Sequence, residues 1–197
     1  TLSSSSAASD VYKRQFLLMA VVFFAVYQYC FDSKLDLNGD NASYIQLART
    51  LSDGHGYSNV SPSGFTPASH FPPGYPAFLA FFISLGLDNL IFFKVLNGIL
   101  LFASLIALFG LSRRLSGNTA VALTAMLLAC FSPHLMHFAS MAMSEMLYLA
   151  CTVAAFVALY FYAVRKPSAF YRSPWFYAAL LACLLYTSDA ADEEDSV

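Results

Sequence analysis

Charge is what this chain has least of. Asp, Glu, Lys and Arg make up 11% of its 197 residues, against 58% hydrophobic residues. A typical soluble domain is about 25% charged. A water-covered domain with this composition would have to hide far too much apolar surface, whereas the apolar runs are long enough to cross a bilayer. Cysteine is also scarce, four in all, and Cys30, Cys130 and Cys151 sit inside apolar runs. They read as core thiols, with neither a disulfide framework nor a metal-ligand spacing. No strongly basic patch is present, which argues against nucleic acid as a partner. Between residues 16 and 182 the only glutamate is Glu145. That stretch has no internal repeat and no low-complexity tract.

The two ends read differently from the middle. Ser5–Gln15, "SSAASDVYKRQ", back-translates to a DNA element whose reverse complement, read one base in, encodes "CLLYTSDAAD", Cys183–Asp192. One DNA element faces inward from both sides, and it looks like the transposase adapter of sequencing libraries. Residues 1–15 and 183–197, with the acidic tail "DEEDSV", are therefore expected to be scars, leaving 16–182 as an internal piece of a membrane domain. Without them the formal charge of −2 becomes +2, from eight basic and six acidic residues.

The expected fold class is all-α: a polytopic integral membrane helical protein whose outer loop carries interfacial helices. Phe16–Phe31, Leu90–Leu111, Gly117–Phe131 and Met143–Val164 read as spans, and Trp175–Ala182 as the start of another. Lipid offers no partner for backbone polar groups, so each spans as a helix. Tyr75–Leu87, about 13 residues, falls short of the roughly 20 that a span needs and reads as interfacial or re-entrant. Basic residues favour the cytoplasmic side. If Tyr75–Leu87 does not cross, Arg113/Arg114 and Arg165/Lys166 both fall inside. The region from about 32 to 89 and the loop from His134 to Ala142 then lie outside. This arrangement gathers Asp40, His55, His70, His134, His137 and Glu145 on the outer face.

Three outer pieces carry the candidate chemistry. In "NGDNASYIQLARTLSDGHGYS", Asp40-Asn41 can cap a helix from about Ala42 to Ser52, with Tyr44, Ile45, Leu47, Ala48 and Leu51 on one stripe. That stripe faces lipid or other helices, and Gly54 and Gly56 end the helix. Asp40 is either a plain N-cap or a functional acid. "HFPPGYP", His70–Pro76, reads as a proline-forced turn before the interfacial segment. "MAMSEMLYL" puts Glu145 in the first turn of an apolar helix. A carboxylate there suits the helix dipole, and at the bilayer edge it is also a functional candidate. Lys94 lies one turn inside its span and is expected to snorkel or to meet a phosphate. His134 and His137 lack further ligands at zinc spacing and read as interfacial histidines.

The order of these pieces resembles the GT-C membrane glycosyltransferases, in the group with protein O-mannosyltransferases and the lipid A aminoarabinose transferase (glycosyltransferase family 39-like). The order is a transmembrane helix, "GDNASYIQLA…GHGY", "HFPPGYP", a helix ending in Arg-Arg, and a helix beginning "SE". The resemblance covers nearly all of 16–182. It implies an inverting transfer of a sugar from a polyprenyl-phosphate donor to a lipid, glycan or protein acceptor. The place would be the outer face of a membrane, of the bacterial inner-membrane type. It implies Asp40 as the base beside the acceptor, with Glu145, His70, Lys94 and Tyr44 toward the substrates. No cofactor is required by it. A divalent metal of the two-acid type would need a second acid beside Asp40, and position 41 is Asn. The rival from another class is a transporter or lipid flippase, which predicts broken helices and polar residues at the midplane.

Overall fold

The structure is a computed structural model and describes residues 2–35, 40–62, 64–165 and 173–180. Asn38, Gly39, Lys166, the expected span beyond residue 180 and the carboxy-terminal adapter stretch lie outside the described residues. The helices are α1 (Leu2–Cys30), α2 (Asn41–Ser52), α3 (Gly74–Ser84), α4 (Leu90–Ser116), α5 (Thr119–Cys130), α6 (Pro133–Ala139) and α7 (Glu145–Arg165). Residues 174–180 are helical as well. Two strands, β1 (Ser58–Ser61) and β2 (Gly64–Pro67), pair antiparallel with Ser58 opposite Pro67 and Ser61 opposite Gly64. The protein is thus mostly helical, with a small hairpin that an all-α expectation leaves out. Pro62-Ser63-Gly64 is its turn signal. Thr50 Oγ1 secures it by donating to the Ser58 carbonyl at 2.9 Å.

α4 and α7 are long and apolar enough to cross a membrane. α5 and α6 reach that standard only together, across a 61° bend. The expected loop from His134 to Ala142 is therefore largely helix. The cause is local: Ser132 accepts a hydrogen bond from Leu135 N, and Pro133 takes the first helical position. A proline there loses no hydrogen bond and starts a new helix in a new direction. The expected span Phe16–Phe31 belongs to α1, whose apolar part is Leu17–Cys30. The helix itself continues back through the adapter-like residues to Leu2.

The ends of α4 follow from its caps. Asn89 accepts hydrogen bonds from Ile91 N at 2.8 Å and Phe92 N at 3.4 Å. Such a cap stabilises a helix by about 1 kcal/mol. At the other end Gly117 turns left-handed, with φ 65°, a conformation glycine adopts without strain.

α4 and α7 run in parallel. Near their first turns Asn97 Nδ2 donates to the Met143 carbonyl at 2.8 Å. Near their last turns the Arg114 guanidinium lies 4.8 Å above the Phe161 ring. Both basic ends therefore lie at one end of the bundle. α1 packs against α4 through Phe23, Tyr27, Leu101 and Leu105, and Met126 of α5 and Met136 of α6 complete that core. Gly98 makes the α1–α4 approach possible, since a Cβ there would lie 2.6 Å from Tyr27 Cζ. The outward faces stay apolar: Leu17, Leu18, Val21, Phe24, Phe156 and Leu159 are all exposed. Such a surface suits hydrocarbon rather than water.

α3 has 11 residues, about 16 Å of helix. That is half of a hydrocarbon core of about 30 Å. It lies along only the first turns of α4, with Tyr75 against Asn97 and Phe82 against Phe92. α2 packs on α3, and their far ends are tied by Arg49 to Asp88, Nε to Oδ2 at 2.9 Å. The apolar stripe of α2 is settled accordingly. Tyr44, Ile45, Leu47 and Ala48 are buried, with Tyr44, Ile45 and Ala48 in a core formed with α3 and Phe93.

Candidate functional site

The polar side chains converge at the end of the bundle opposite the basic pairs. Asn97 is fully buried on α4. Its Nδ2 donates to the carbonyls of Met141 and Met143, each at 2.8 Å. Its Oδ1 accepts from the Tyr75 hydroxyl at 3.3 Å. The turn Met141–Ser144 is thereby fixed, and that turn launches α7 at Glu145. Tyr44 reaches across from α2, with its hydroxyl 3.4 Å from Ser144 Oγ. Its ring lies 5.2 Å from Phe71 and 5.3 Å from Tyr75, edge-on to the latter. Four separate elements meet here: α2, the His70–Pro73 turn with α3, α4 and the start of α7.

The electrostatics follow from burial. Burial pushes the Tyr75 phenol well above its ordinary value. The negative charge of Glu145 and the neighbouring Tyr44 push the same way, against a smaller opposing effect of the hydrogen bond to Asn97. Glu145 is therefore close enough to act on Tyr75 through space. It sits in the first turn of α7 and is half-buried.

The sequence-predicted residues fall into two groups. Tyr44 and Glu145 belong to this cluster. His70 borders it, being exposed with its ring 4.8 Å from Phe71. Asp40 lies one turn from Tyr44 and is exposed. Its carbonyl accepts from Tyr44 N at 2.9 Å, while its carboxylate makes no capping bond to α2. Lys94 stands apart. It is 3% exposed, so it does not snorkel into water. Its Nζ donates to the Asp32 and Lys34 carbonyls, both at 2.6 Å. That clamps the chain leaving α1 onto α4. Tyr27 adds to the clamp, its hydroxyl donating to the Lys94 carbonyl at 2.9 Å and lying 3.3 Å from that of Ala139.

Asn97, Tyr75, Ser144 and Phe71 escaped the sequence reading as members of a site. Asn97 is one of two strongly polar side chains in an otherwise apolar run, a signal for a buried polar contact. His134 and His137 lie exposed on α6, each edge-on to Phe138. Among the described residues, no three His, Cys, Asp or Glu side chains come together as a metal site. A separate groove of about 480 Å³ runs between α2 and the hairpin, lined by Gln46, Arg49, Asp53, His55, Val60 and Phe65 among others. None of the five predicted site residues lines it.

No family model, curated protein or solved structure matches the chain.

Proposed function

We propose that this chain is part of a multi-pass membrane glycosyltransferase that moves a sugar from a polyprenyl-phosphate donor to an acceptor at the outer membrane face. The observation that carries this reading is the meeting of Tyr44 with Ser144 at 3.4 Å, next to Glu145. Residues 100 positions apart, on the two outer segments that the GT-C resemblance joins into one site, are neighbours. The non-spanning length of α3 supports the same topology, because it leaves both basic pairs on the cytoplasmic side and the cluster outside.

In this reading Asp40 accepts the proton of the acceptor hydroxyl. The acceptor oxygen forms a bond to the sugar's anomeric carbon as the bond from that carbon to the phosphate oxygen breaks. The polyprenyl phosphate leaves with the electron pair, and a single displacement inverts the anomeric carbon. A departing phosphate calls for cationic or N–H donors more than for an acid, and His70 is the nearest candidate at the rim. Tyr44 and Glu145 shape the acceptor side. The acceptor is a lipid, glycan or protein.

The test is Asp40→Asn in the full-length protein, with Asp53→Asn as control. Asn keeps size and removes proton acceptance. Losing a general base costs about 10²–10⁴-fold in rate. Sugar transfer from a polyprenyl-phosphate donor at the control's rate would overturn the assignment of Asp40.

A transporter or flippase is the second reading. The 61° break between α5 and α6 favours it, since broken helices often line transport sites. Proteoliposomes decide between them. Lipid or solute movement without any transfer product supports the transporter, and product formation supports the transferase.

A further inference from the structure

The end of the bundle opposite the polar cluster carries a cavity of about 620 Å³ between α4 and α7. Arg113 and Arg114 stand at its mouth, and Phe109, Gly110, Val157 and Phe161 are among its walls. No acidic residue lines it. From Gly117 to Ala107 the lining extends along ten residues of α4, about 15 Å of helix. The space thus pairs two guanidiniums at one end with an apolar trough running toward the middle of the bundle.

Gly110 is the second observation. A glycine inside a helix costs stability unless something needs the room. At Gly98 the need is visible, because Tyr27 fills the space. At Gly110 an added Cβ would meet nothing within 4 Å. Its missing side chain keeps the floor of the trough open.

We infer that this cavity holds an anionic phospholipid. The phosphate lies against the Arg113 and Arg114 guanidiniums, and an acyl chain follows the trough past Gly110. Guanidinium matches phosphate in both charge and donor geometry. Arg114 is already oriented by the Phe161 ring beneath it. The basic end is the cytoplasmic one in the topology argued above, and anionic lipids are concentrated in that leaflet. Basic residues at a helix C-terminus also complement the helix dipole. That accounts for the charges but not for an open trough floored by glycine. The inference rests on α4 and α7 spanning a membrane and is independent of sugar transfer.

The experiment uses the full-length protein in nanodiscs of mixed phosphatidylglycerol and phosphatidylcholine, with retained lipid read by native mass spectrometry. Wild type is expected to keep phosphatidylglycerol in preference to phosphatidylcholine. Each arginine near an anionic headgroup is worth about 1 kcal/mol. Arg113→Gln with Arg114→Gln should therefore lower the preference roughly thirtyfold. Gly110→Leu should abolish it with both arginines in place, because the trough is filled. Inorganic phosphate should not displace the lipid. Equal retention of the two lipids by wild type would overturn the inference. So would undiminished preference in Gly110→Leu, displacement by free phosphate, or a dimer that buries the groove against a second copy. If the double arginine variant fails to express, Gly110→Leu alone decides.

Discussion

Asn97→Leu tests whether the buried amide holds the polar cluster together. Leucine matches asparagine in size, so the change leaves little cavity and isolates the hydrogen bonds. Three are lost: two from Nδ2 to the Met141 and Met143 carbonyls and one from the Tyr75 hydroxyl. Interhelical hydrogen bonds in membrane proteins are worth about 0.6–2 kcal/mol each. Two of these are short at 2.8 Å, and the third is longer at 3.3 Å. The summed cost is about 2–4 kcal/mol. For a protein of this size that lowers the melting temperature by roughly 5–15 °C. Asn97→Asp should be worse than leucine, since it turns a carboxylate toward two carbonyl oxygens. Thermal scanning in detergent reads all three proteins, with Ser84→Ala, an exposed serine at the end of α3, as control. A leucine variant that melts with wild type would mean that the amide bonds carry no net stability, and the account of the site's anchoring would fail.

Gly98→Ala drives a Cβ to within 2.6 Å of Tyr27 Cζ and 2.8 Å of its hydroxyl. Overpacking of this kind costs about 1–3 kcal/mol, whereas Gly110→Ala, which meets nothing, should gain up to about 1 kcal/mol; thermal melting of the pair reads the contrast. Tyr75 has a raised pKa in the folded protein, so its contribution is complete below the unfolded value of about 10 and is lost as pH rises beyond it. Melting curves taken from pH 9 to 11 should therefore fall more steeply for wild type than for Tyr75→Phe, by roughly one unit of pH range at most before other tyrosines dominate. Arg49→Gln removes an exposed pair and should cost only about 0.2–1 kcal/mol, a loss that vanishes in high salt; a larger, salt-insensitive loss would contradict its exposed placement.

What the sequence discloses here depends on how far each cause reaches. α2, α4 and α7 could be read because their signals are local: an apolar stripe, long apolar runs, Asn89 before one helix and glycine after two. The α5–α6 break was also written locally, in Ser132-Pro133, but a continuous apolar reading across it hid the change of direction. The hairpin was lost for a similar reason. Its strands have four residues each, too few for alternation to stand out beside a proline-rich loop. The candidate site is different in kind. Tyr44 and Ser144 are 100 positions apart, and Tyr75 and Asn97 are 22 apart. No spacing rule brings such residues together. A resemblance pointed toward Asp40, Tyr44 and Glu145, while Asn97, which ties α3 to the start of α7, looked like an isolated polar interruption. Lys94 misled for the opposite reason. Its position suits snorkelling or phosphate, yet the backbone that leaves α1 folds over it and takes the ammonium's donors.

The Lys94 clamp bears on Asp40. Chain leaving α1 is fixed at Asp32 and Lys34 by Lys94, and chain entering α2 is fixed at Tyr44 by Ser144, Phe71 and Tyr75. Asp40 lies between these two anchors. Its backbone is helical, with φ −76° and ψ 0°, whereas a capping residue normally stands in the extended region to turn its side chain back onto the helix. That geometry explains why the carboxylate makes no capping bond, and it takes away the structural role that competed with a catalytic one. Asp40→Asn therefore has no cap to lose. A fall in transfer with an unchanged melting temperature would belong to chemistry, and a fall in both would place the residue's role in the fold instead. Lys94→Met gives the complementary case. It loosens the first anchor without touching the carboxylate, so it should lower stability first and transfer only in proportion to the Asp40 displacement it causes. If Lys94→Met instead abolished transfer in a protein that melts like wild type, the ammonium would be acting on substrate, and its two carbonyl bonds would have to open when the donor binds.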